Sequence, residues 1–312
     1  MNIVLLETAS LGKGVDLSGF SKLGRVTSYS LSTVEETKER VKDADIVVIN
    51  KIPMNETTLC GATRLKAICL TATGMNNIDF DYVKKRGIAV RNVRGYSTAS
   101  VVQHTFAMLF YLYEHLPAYD AYVASGEYAK SPTFCHLEPS FHELAGKTFG
   151  IAGLGEIGRG VAKVASAFGC HVIYYSTGGQ NNNPDYERVE WDEFLRRSDV
   201  ISIHAPLNEK TFHLFNAEAF SKMKANAYLL NLGRGPIVDE TALADALKAN
   251  RIAGACLDVL ETEPLPIASP LYDSGLAGRL FITPHIGWAP LEARQRCVDA
   301  TLKNIRDLTE QG

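Results

Sequence analysis

Short apolar runs alternate with helix-length amphipathic segments over most of the chain. That alternation predicts parallel sheets joined by crossover helices. A first group of runs, Ile3–Glu7, Arg25–Tyr29, Asp45–Asn50, Lys66–Leu70 and Ile88–Asn92, predicts one sheet. A second group predicts another: Thr148–Ala152, His171–Tyr175, Val200–His204, Ala227–Asn231, Gly254–Leu257 and Leu280–Ile282. Ser97 and Thr98 offer N-caps for a helix running to about Tyr113. A long irregular stretch follows and ends in the polar turn Leu144-Ala145-Gly146-Lys147. A last helix is expected from about Pro290 to Thr309. If its apolar positions Cys297, Leu302 and Ile305 pack on the first domain, that domain is discontinuous. The expected fold is α/β, with two doubly wound parallel-sheet domains, residues 1–97 plus 287–312 and residues 98–286, and a cleft between them.

Length and charge narrow the field. At 312 residues one core is at its upper limit, which favours two domains. A net charge of −3 gives no electrostatic reason to expect nucleic acid or an anionic membrane as partner. The longest apolar stretch, Val101 to Tyr113, is interrupted by Gln103 and His104 and is too short to span a bilayer. Met1 leads straight into the strand-like Asn2–Leu6 with no basic leader, so a cytoplasmic location is expected. The six cysteines are scattered without a C-x-x-C pair, which reads as reduced thiols and no metal site. Neither a G-x-S-x-G nor an H-E-x-x-H motif is present, which disfavours a hydrolase.

The chemistry begins at Gly153-Leu154-Gly155-Glu156-Ile157-Gly158. This string follows the strand Phe149–Ala152 and opens a helix running to about Phe168. In that setting Gly153 allows the tight turn, Gly155 lets backbone approach a pyrophosphate, and Gly158 lets helix pack on strand. The helix N-terminus adds free N–H groups and partial positive charge. The second domain is therefore read as a Rossmann-like dinucleotide-binding domain. The next strand ends Tyr174-Tyr175-Ser176-Thr177-Gly178-Gly179, without the acid that usually meets the ribose of NAD. No Lys or Arg occurs from Ser176 to Asn183 to meet an extra phosphate. NAD is favoured, NADP stays open, and the Ser176 and Thr177 hydroxyls can serve either ribose. Three charged residues then follow later strands: Arg234 between glycines, Glu263 before Pro264 and His285 after Pro284. Together they supply what hydride transfer to a small keto acid needs: an anion clamp, a proton donor and a group that tunes the donor. In the first domain, the Thr73-Gly74-Met75 turn after a strand is placed to offer backbone N–H groups to the same carboxylate.

The chain resembles the D-isomer-specific 2-hydroxyacid dehydrogenase family over nearly its whole length. The matching stretches are Thr73–Asp79, Asn92–Thr98, the glycine string, His204–Leu207, Asn231–Gly235, Leu257–Pro264 and Thr283–Trp288. The resemblance implies a flavodoxin-like substrate-binding first domain. It implies Arg234 as substrate clamp, His285 as acid/base and Glu263 as its partner. Cofactor contacts are implied at Gly153, Gly155, Glu156, Ile157, Gly158, Ser176, Thr177, His204, Ala205, Pro206, Leu232, Gly233, Asp258 and Gly287. Asn50-Lys51, Gly95–Thr98 and Pro284–Ala289 are most similar to glycerate dehydrogenases, also called hydroxypyruvate reductases. This points to hydroxypyruvate or glyoxylate, with Lys51 and Trp288 joining Thr73, Gly74, Met75, Arg234 and His285 around the substrate. D-lactate or aromatic 2-hydroxyacid dehydrogenase activity stays open, because Trp288 can either close a small pocket or welcome a ring. A second class is an NAD(H)-sensing corepressor-like binding protein, since the fold does not decide function. A homodimer through the cofactor domain is implied by the family. Arg94 departs from the Ala or Pro common there and reads equally as a substrate contact or a surface residue.

Overall fold

The computed structural model describes residues 1–310 and divides into two compact units, Met1–Ser97 with the segment from Trp288 onward, and Thr98–Gly287. The first unit is a five-stranded parallel sheet. Its strands are β1 (Asn2–Leu5), β2 (Arg25–Ser28), β3 (Ile46–Ile49), β4 (Ala67–Leu70) and β5 (Ala89–Arg91), in the order β2-β1-β3-β4-β5. Strands β3 and β4 are buried along their whole length. Their unbroken apolar sequences are what central strands covered on both faces require. The chain runs from β1 to the edge at β2 and then crosses back to β3. That reversal sets the carboxyl ends of β1 and β3 side by side, where doubly wound sheets open a crevice.

The helix Leu291–Glu310 completes this unit. Its Val298, Leu302 and Ile305 pack with Ile3, Leu5, Ile46, Val48, Ala67 and Cys69. Cys297 joins Val93 and Tyr96 in a smaller cluster. Without that helix one face of the sheet would lose its apolar cover.

The second unit holds β6 (Thr148–Ala152), β7 (His171–Tyr175), β8 (Glu187–Arg188), β9 (Val200–Ile203), β10 (Tyr228–Asn231), β11 (Gly254–Leu257) and β12 (Leu280–Ile282), all parallel, in the order β12-β11-β10-β9-β6-β7-β8. Two elements depart from the sequence reading. The two-residue β8 is charged and exposed, so it carries no apolar run to detect. The helix Leu116–Ala124 lies in the stretch read as irregular, and none of its residues is buried. A helix with no buried face shows no 3.6-residue apolar period.

Cys69, Cys170, Cys256 and Cys297 are buried, and all six thiols are free. Burial pushes Cys69 and Cys297 up to about 12 and Cys170 to about 11, which removes them from thiolate chemistry near neutrality. No helix among the described residues is long and apolar enough to cross a membrane.

Candidate active site

Every candidate of the second unit follows a strand and lies at one edge of the sheet. Strand β6 leads to Gly153, β7 to Ser176, β9 to His204, β10 to Arg234, β11 to Asp258 and Glu263, and β12 to His285. Because all seven strands run parallel, all these ends share the carboxyl edge. The chain goes outward from β6 to β7 and β8, then crosses back to β9. The switch point therefore falls between β6 and β9, the standard place for a ligand in this architecture.

The three glycines of the loop have three separate reasons. Gly153 has φ +94°, and a Cβ there would lie 2.8 Å from Ala205 Cα and N. It thus seats the β6 turn directly against His204-Ala205. A Cβ on Gly158 would come within 2.3 Å of the Gly153 carbonyl oxygen, so the helix Glu156–Ala167 packs at contact distance on the turn. Gly155 is the N-cap, with no side chain capping the helix and nothing within 4 Å of where a Cβ would stand. Free N–H groups, positive dipole and open space coincide there, and a pyrophosphate fits that cradle. Glu156 is exposed and accepts a hydrogen bond from Thr98 Oγ1 at 2.8 Å, while Ile157 is half-buried.

The loop after β7 folds back over this turn. Ser176 is buried, and its hydroxyl accepts from the Asn181 N–H at 3.2 Å. Asn181 Nδ2 donates to the Leu154 carbonyl at 2.7 Å. The Tyr174 hydroxyl donates to the Asn181 carbonyl at 3.2 Å and accepts from the Asn183 N–H at 2.8 Å. Ser176 is therefore already engaged in holding its loop, and Thr177 is half-buried beside it. After β9, His204 Nε2 lies 2.7 Å from Ser202 Oγ, and its Nδ1 is buried without a hydrogen-bond partner. Burial pushes this histidine down to about 3, so the ring is neutral. Ala205 is buried and Pro206 exposed.

The turn after β10 is held by Asn231, which is wholly buried. Its Oδ1 accepts from the Gly233 N–H at 3.1 Å, and its Nδ2 donates to the Arg234 carbonyl at 3.0 Å. Leu232 is buried, Gly233 and Arg234 half-buried. Arg234 donates one Nη1 hydrogen bond to the Gly233 carbonyl at 2.7 Å. A guanidinium carries five N–H donors, so most of the fork stays available for a planar anion. The next residue, Gly235, has no room for a Cβ, which would stand 1.9 Å from the Leu260 carbonyl carbon. The clamp turn is thereby pressed on the loop that follows β11.

In that loop the Leu260 N–H donates to Glu263 Oε1 at 3.1 Å, and Glu263 Oε2 lies 2.8 Å from His285 Nδ1. His285 itself is held at φ +57°, a left-handed conformation that a non-glycine residue keeps only when its surroundings enforce it. Asp258 supplies that enforcement. Buried to 3 % exposure, it accepts from Thr283 Oγ1 at 2.6 Å and the Ile286 N–H at 2.8 Å on Oδ1, and from the Gly287 N–H at 2.8 Å on Oδ2. His104 Nε2 stands 3.1 Å from Thr283 Oγ1 and 3.4 Å from Asp258 Oδ1. Burial works against the Asp258 charge, but the bonds from His104, Thr283, Gly287 and Ile286 outweigh it and hold the carboxyl below its usual range. Both oxygens of Asp258 are engaged in carrying the His285 turn.

The remaining candidates belong to the first unit. Lys51 is exposed just beyond β3, on a turn whose Asn50, Lys51 and Ile52 N–H groups all donate to Glu7 Oε2 at 2.7, 2.9 and 3.1 Å. Thr73, Gly74 and Met75 follow β4, with Thr73 Oγ1 donating to the Val93 carbonyl at 2.8 Å. Trp288 packs edge-on against Tyr96, ring centroids 6.5 Å apart and planes at 74°. Arg94 is exposed. Sequence reading did not assign Glu7, His104, Asn231 or Thr283 these supporting contacts. The signal was there for two of them: His104 interrupts an apolar helix, and Asn231 closes the apolar run Leu229-Leu230.

Comparison with known proteins adds an independent line. Residues 106–287 match the NAD binding domain of the D-isomer specific 2-hydroxyacid dehydrogenases. The chain belongs to the D-isomer-specific 2-hydroxyacid dehydrogenase family. A hydroxypyruvate reductase of Blautia hydrogenotrophica is 38% identical over 315 residues, covering 98% of this chain and 96% of that one. A glycerate dehydrogenase of Methylorubrum extorquens is 38% identical over 273 residues, 88% of this chain and 85% of that one. Among solved structures, the D-lactate dehydrogenase from Aquifex aeolicus complexed with NAD and lactic acid superposes with a TM-score of 0.85, at 27% identity over 100% of this chain and 96% of that one. As a member of this dehydrogenase family the protein is an NAD(P)-dependent oxidoreductase acting between 2-oxo and 2-hydroxy acids.

Proposed function

We propose that this dehydrogenase reduces a small polar 2-oxo acid, hydroxypyruvate first and glyoxylate second, to the D-2-hydroxy acid with NADH as donor. The observation that carries the reading is the Glu263–His285 pair at 2.8 Å, its Glu263 on the loop pressed against the Arg234 turn, at the edge that also bears the dinucleotide cradle. The bound nicotinamide supplies the hydride. Arg234 clamps the substrate carboxylate and polarises the neighbouring carbonyl. His285 delivers the proton to the carbonyl oxygen, and the Glu263 carboxylate stabilises and orients the imidazolium that gives it. In oxidation the same ring accepts the hydroxyl proton.

The reading assigns the glycine turn to the pyrophosphate, with Glu156, Ile157, Ser176 and Thr177 alongside. The neutral His204 with Ala205 and Pro206 lines the next strand end, and Leu232, Gly233 and Gly287 approach the nicotinamide end. Asp258 acts through the His285 turn. The other substrate contacts are assigned to Lys51, the Thr73–Met75 turn and Trp288 of the first unit. NAD is preferred over NADP because Ser176 to Asn183 holds no cation for an extra phosphate. The match of two relatives named hydroxypyruvate reductase and glycerate dehydrogenase supports the substrate choice. A cytoplasmic homodimer completes the reading. Val123, Phe134, Leu137 and Phe141 are exposed at 57, 90, 72 and 51 %, an apolar arm on the second unit that a second copy would cover.

Mixing the protein with NADH and hydroxypyruvate should consume the reduced cofactor and yield D-glycerate alone. Cofactor binding without turnover on any 2-oxo acid would instead make it a nucleotide-sensing binding protein.

A further inference from the structure

The helix Glu240–Lys248 begins with a carboxylate for which the chemistry above has no use. Glu240 is buried to 9 % exposure, an unusual position for an acid. Its Oε1 accepts the Glu261 N–H at 2.7 Å, and Glu261 Oε1 accepts the Glu240 N–H at 3.0 Å. Each side chain thus caps the other's backbone. One strand of this bracket continues back to Gly235 and Arg234. The other continues forward to Glu263. The two segments touch at Gly235 and Leu260 and are tied at Glu240 and Glu261.

The titratable neighbours of the bracket are His213, Asp239 and Glu263. His213 Nε2 lies 3.2 Å from Glu261 Oε1 without hydrogen-bond alignment, and its Nδ1 lies 4.0 Å from Asp239 Oδ2. Burial raises the Glu240 carboxyl. The Glu261 N–H pulls it down, and the charges of Glu261 and Glu263 push it up again. An apolar residue at this position would avoid that repulsion but leave the Glu261 N–H without its acceptor.

We propose that Glu240 is a positioning residue. Through its reciprocal bracket with Glu261 it fixes the Arg234 turn and the Glu263 loop at one spacing, so that anion clamp and proton donor address the same substrate. The proposal rests on the functional reading above.

The test compares Glu240→Ala, Glu240→Gln and Glu261→Ala with wild type, using kcat, KM for hydroxypyruvate, the pH profile of kcat/KM, and NADH affinity by fluorescence. A displacement near 1 Å at the reacting groups costs on the order of 10²-fold, so Glu240→Ala should lose about that factor in kcat/KM, shared between kcat and KM. The alkaline limb of its profile should move, because Glu263 no longer sits squarely on His285. NADH affinity should stay within about twofold, since the glycine turn is untouched. Glu240→Gln keeps an acceptor oxygen and should recover most of the loss. Glu261→Ala, an exposed change that leaves the core intact, should shift KM and the pH limb in the same direction by less. Wild-type kinetics and an unmoved pH limb in Glu240→Ala would overturn the proposal, as would a Gln variant no better than Ala. If Glu240→Ala does not fold, an unchanged Glu261→Ala profile overturns it alone. Absence of hydroxypyruvate or glyoxylate turnover in the wild type would sink the functional reading instead. The bracket is then tested by the crystal structures of wild type and Glu261→Ala, where an unchanged Arg234-to-Glu263 spacing counts against it.

Discussion

Replacing Asp258 by Asn should loosen the turn that carries His285. The carboxylate accepts three hydrogen bonds of 2.6–2.8 Å, from Thr283 Oγ1 and from the N–H groups of Ile286 and Gly287. An amide has one oxygen for those donors, and its NH₂ must face at least one N–H. A buried donor left unsatisfied costs about 1–3 kcal/mol, and the surviving bonds lose their charge assistance, so a total of about 3 kcal/mol is expected. At roughly 2–4 °C per kcal/mol for a unit of this size, Tm should fall by about 6–12 °C. The pH dependence has a definite sign. The folded-state pKa of Asp258 is depressed, so its contribution is present above the unfolded carboxylate pKa and lost as pH falls through the folded value. The Tm gap between wild type and variant should hold near neutrality and close below about pH 4. Because Ile286 and Gly287 directly follow His285, kcat should fall on the order of 10²-fold as the donor loses its place. Thermal unfolding across pH with parallel steady-state kinetics reads both effects. A variant with wild-type Tm and kcat, or a Tm gap that persists undiminished in acid, would refute the reasoning.

Other substitutions separate the roles. His285→Ala should lower kcat by about 10²–10⁴, the usual contribution of general acid catalysis, with NADH affinity unchanged by fluorescence titration. Arg234→Ala should raise KM for the keto acid and lower kcat together, since the clamp acts on ground and transition states alike. Gly158→Ala places a methyl 2.3 Å from the Gly153 carbonyl and should weaken NADH binding in the same titration with little effect on kcat at saturation. Ser176→Asp should widen the preference for NADH over NADPH through repulsion of the extra phosphate, read as the ratio of kcat/KM values.

What the sequence reveals of the fold and the site depends on how each feature announces itself. The central strands were legible because a strand buried on both faces writes an apolar run, as Ile46–Ile49 does, whereas the edge strand Arg25–Ser28, largely exposed, was marked only by its β-branched Val26 and Thr27. Strand β8 and the helix Leu116–Ala124 bury nothing and write no such pattern. Gly153, Arg234, Glu263 and His285 stood out because each follows a run at its carboxyl end. Their support did not. Asp258 was legible as a cofactor contact, but its hold on the His285 turn and Thr283 was not. The grip of Glu7 on the Lys51 turn spans more than forty positions, and that of Glu240 on Glu261 spans 21. Neither local propensity nor spacing reports such long-range backbone caps.

The central claim is that this dehydrogenase acts on small polar 2-oxo acids. It is tested most directly by kcat/KM for hydroxypyruvate, glyoxylate, pyruvate and phenylpyruvate, measured side by side with NADH. Hydroxypyruvate should lead, with glyoxylate next. Phenylpyruvate should fall behind by at least about tenfold, roughly 1.4 kcal/mol of transition-state discrimination. A clear lead for phenylpyruvate would contradict the account.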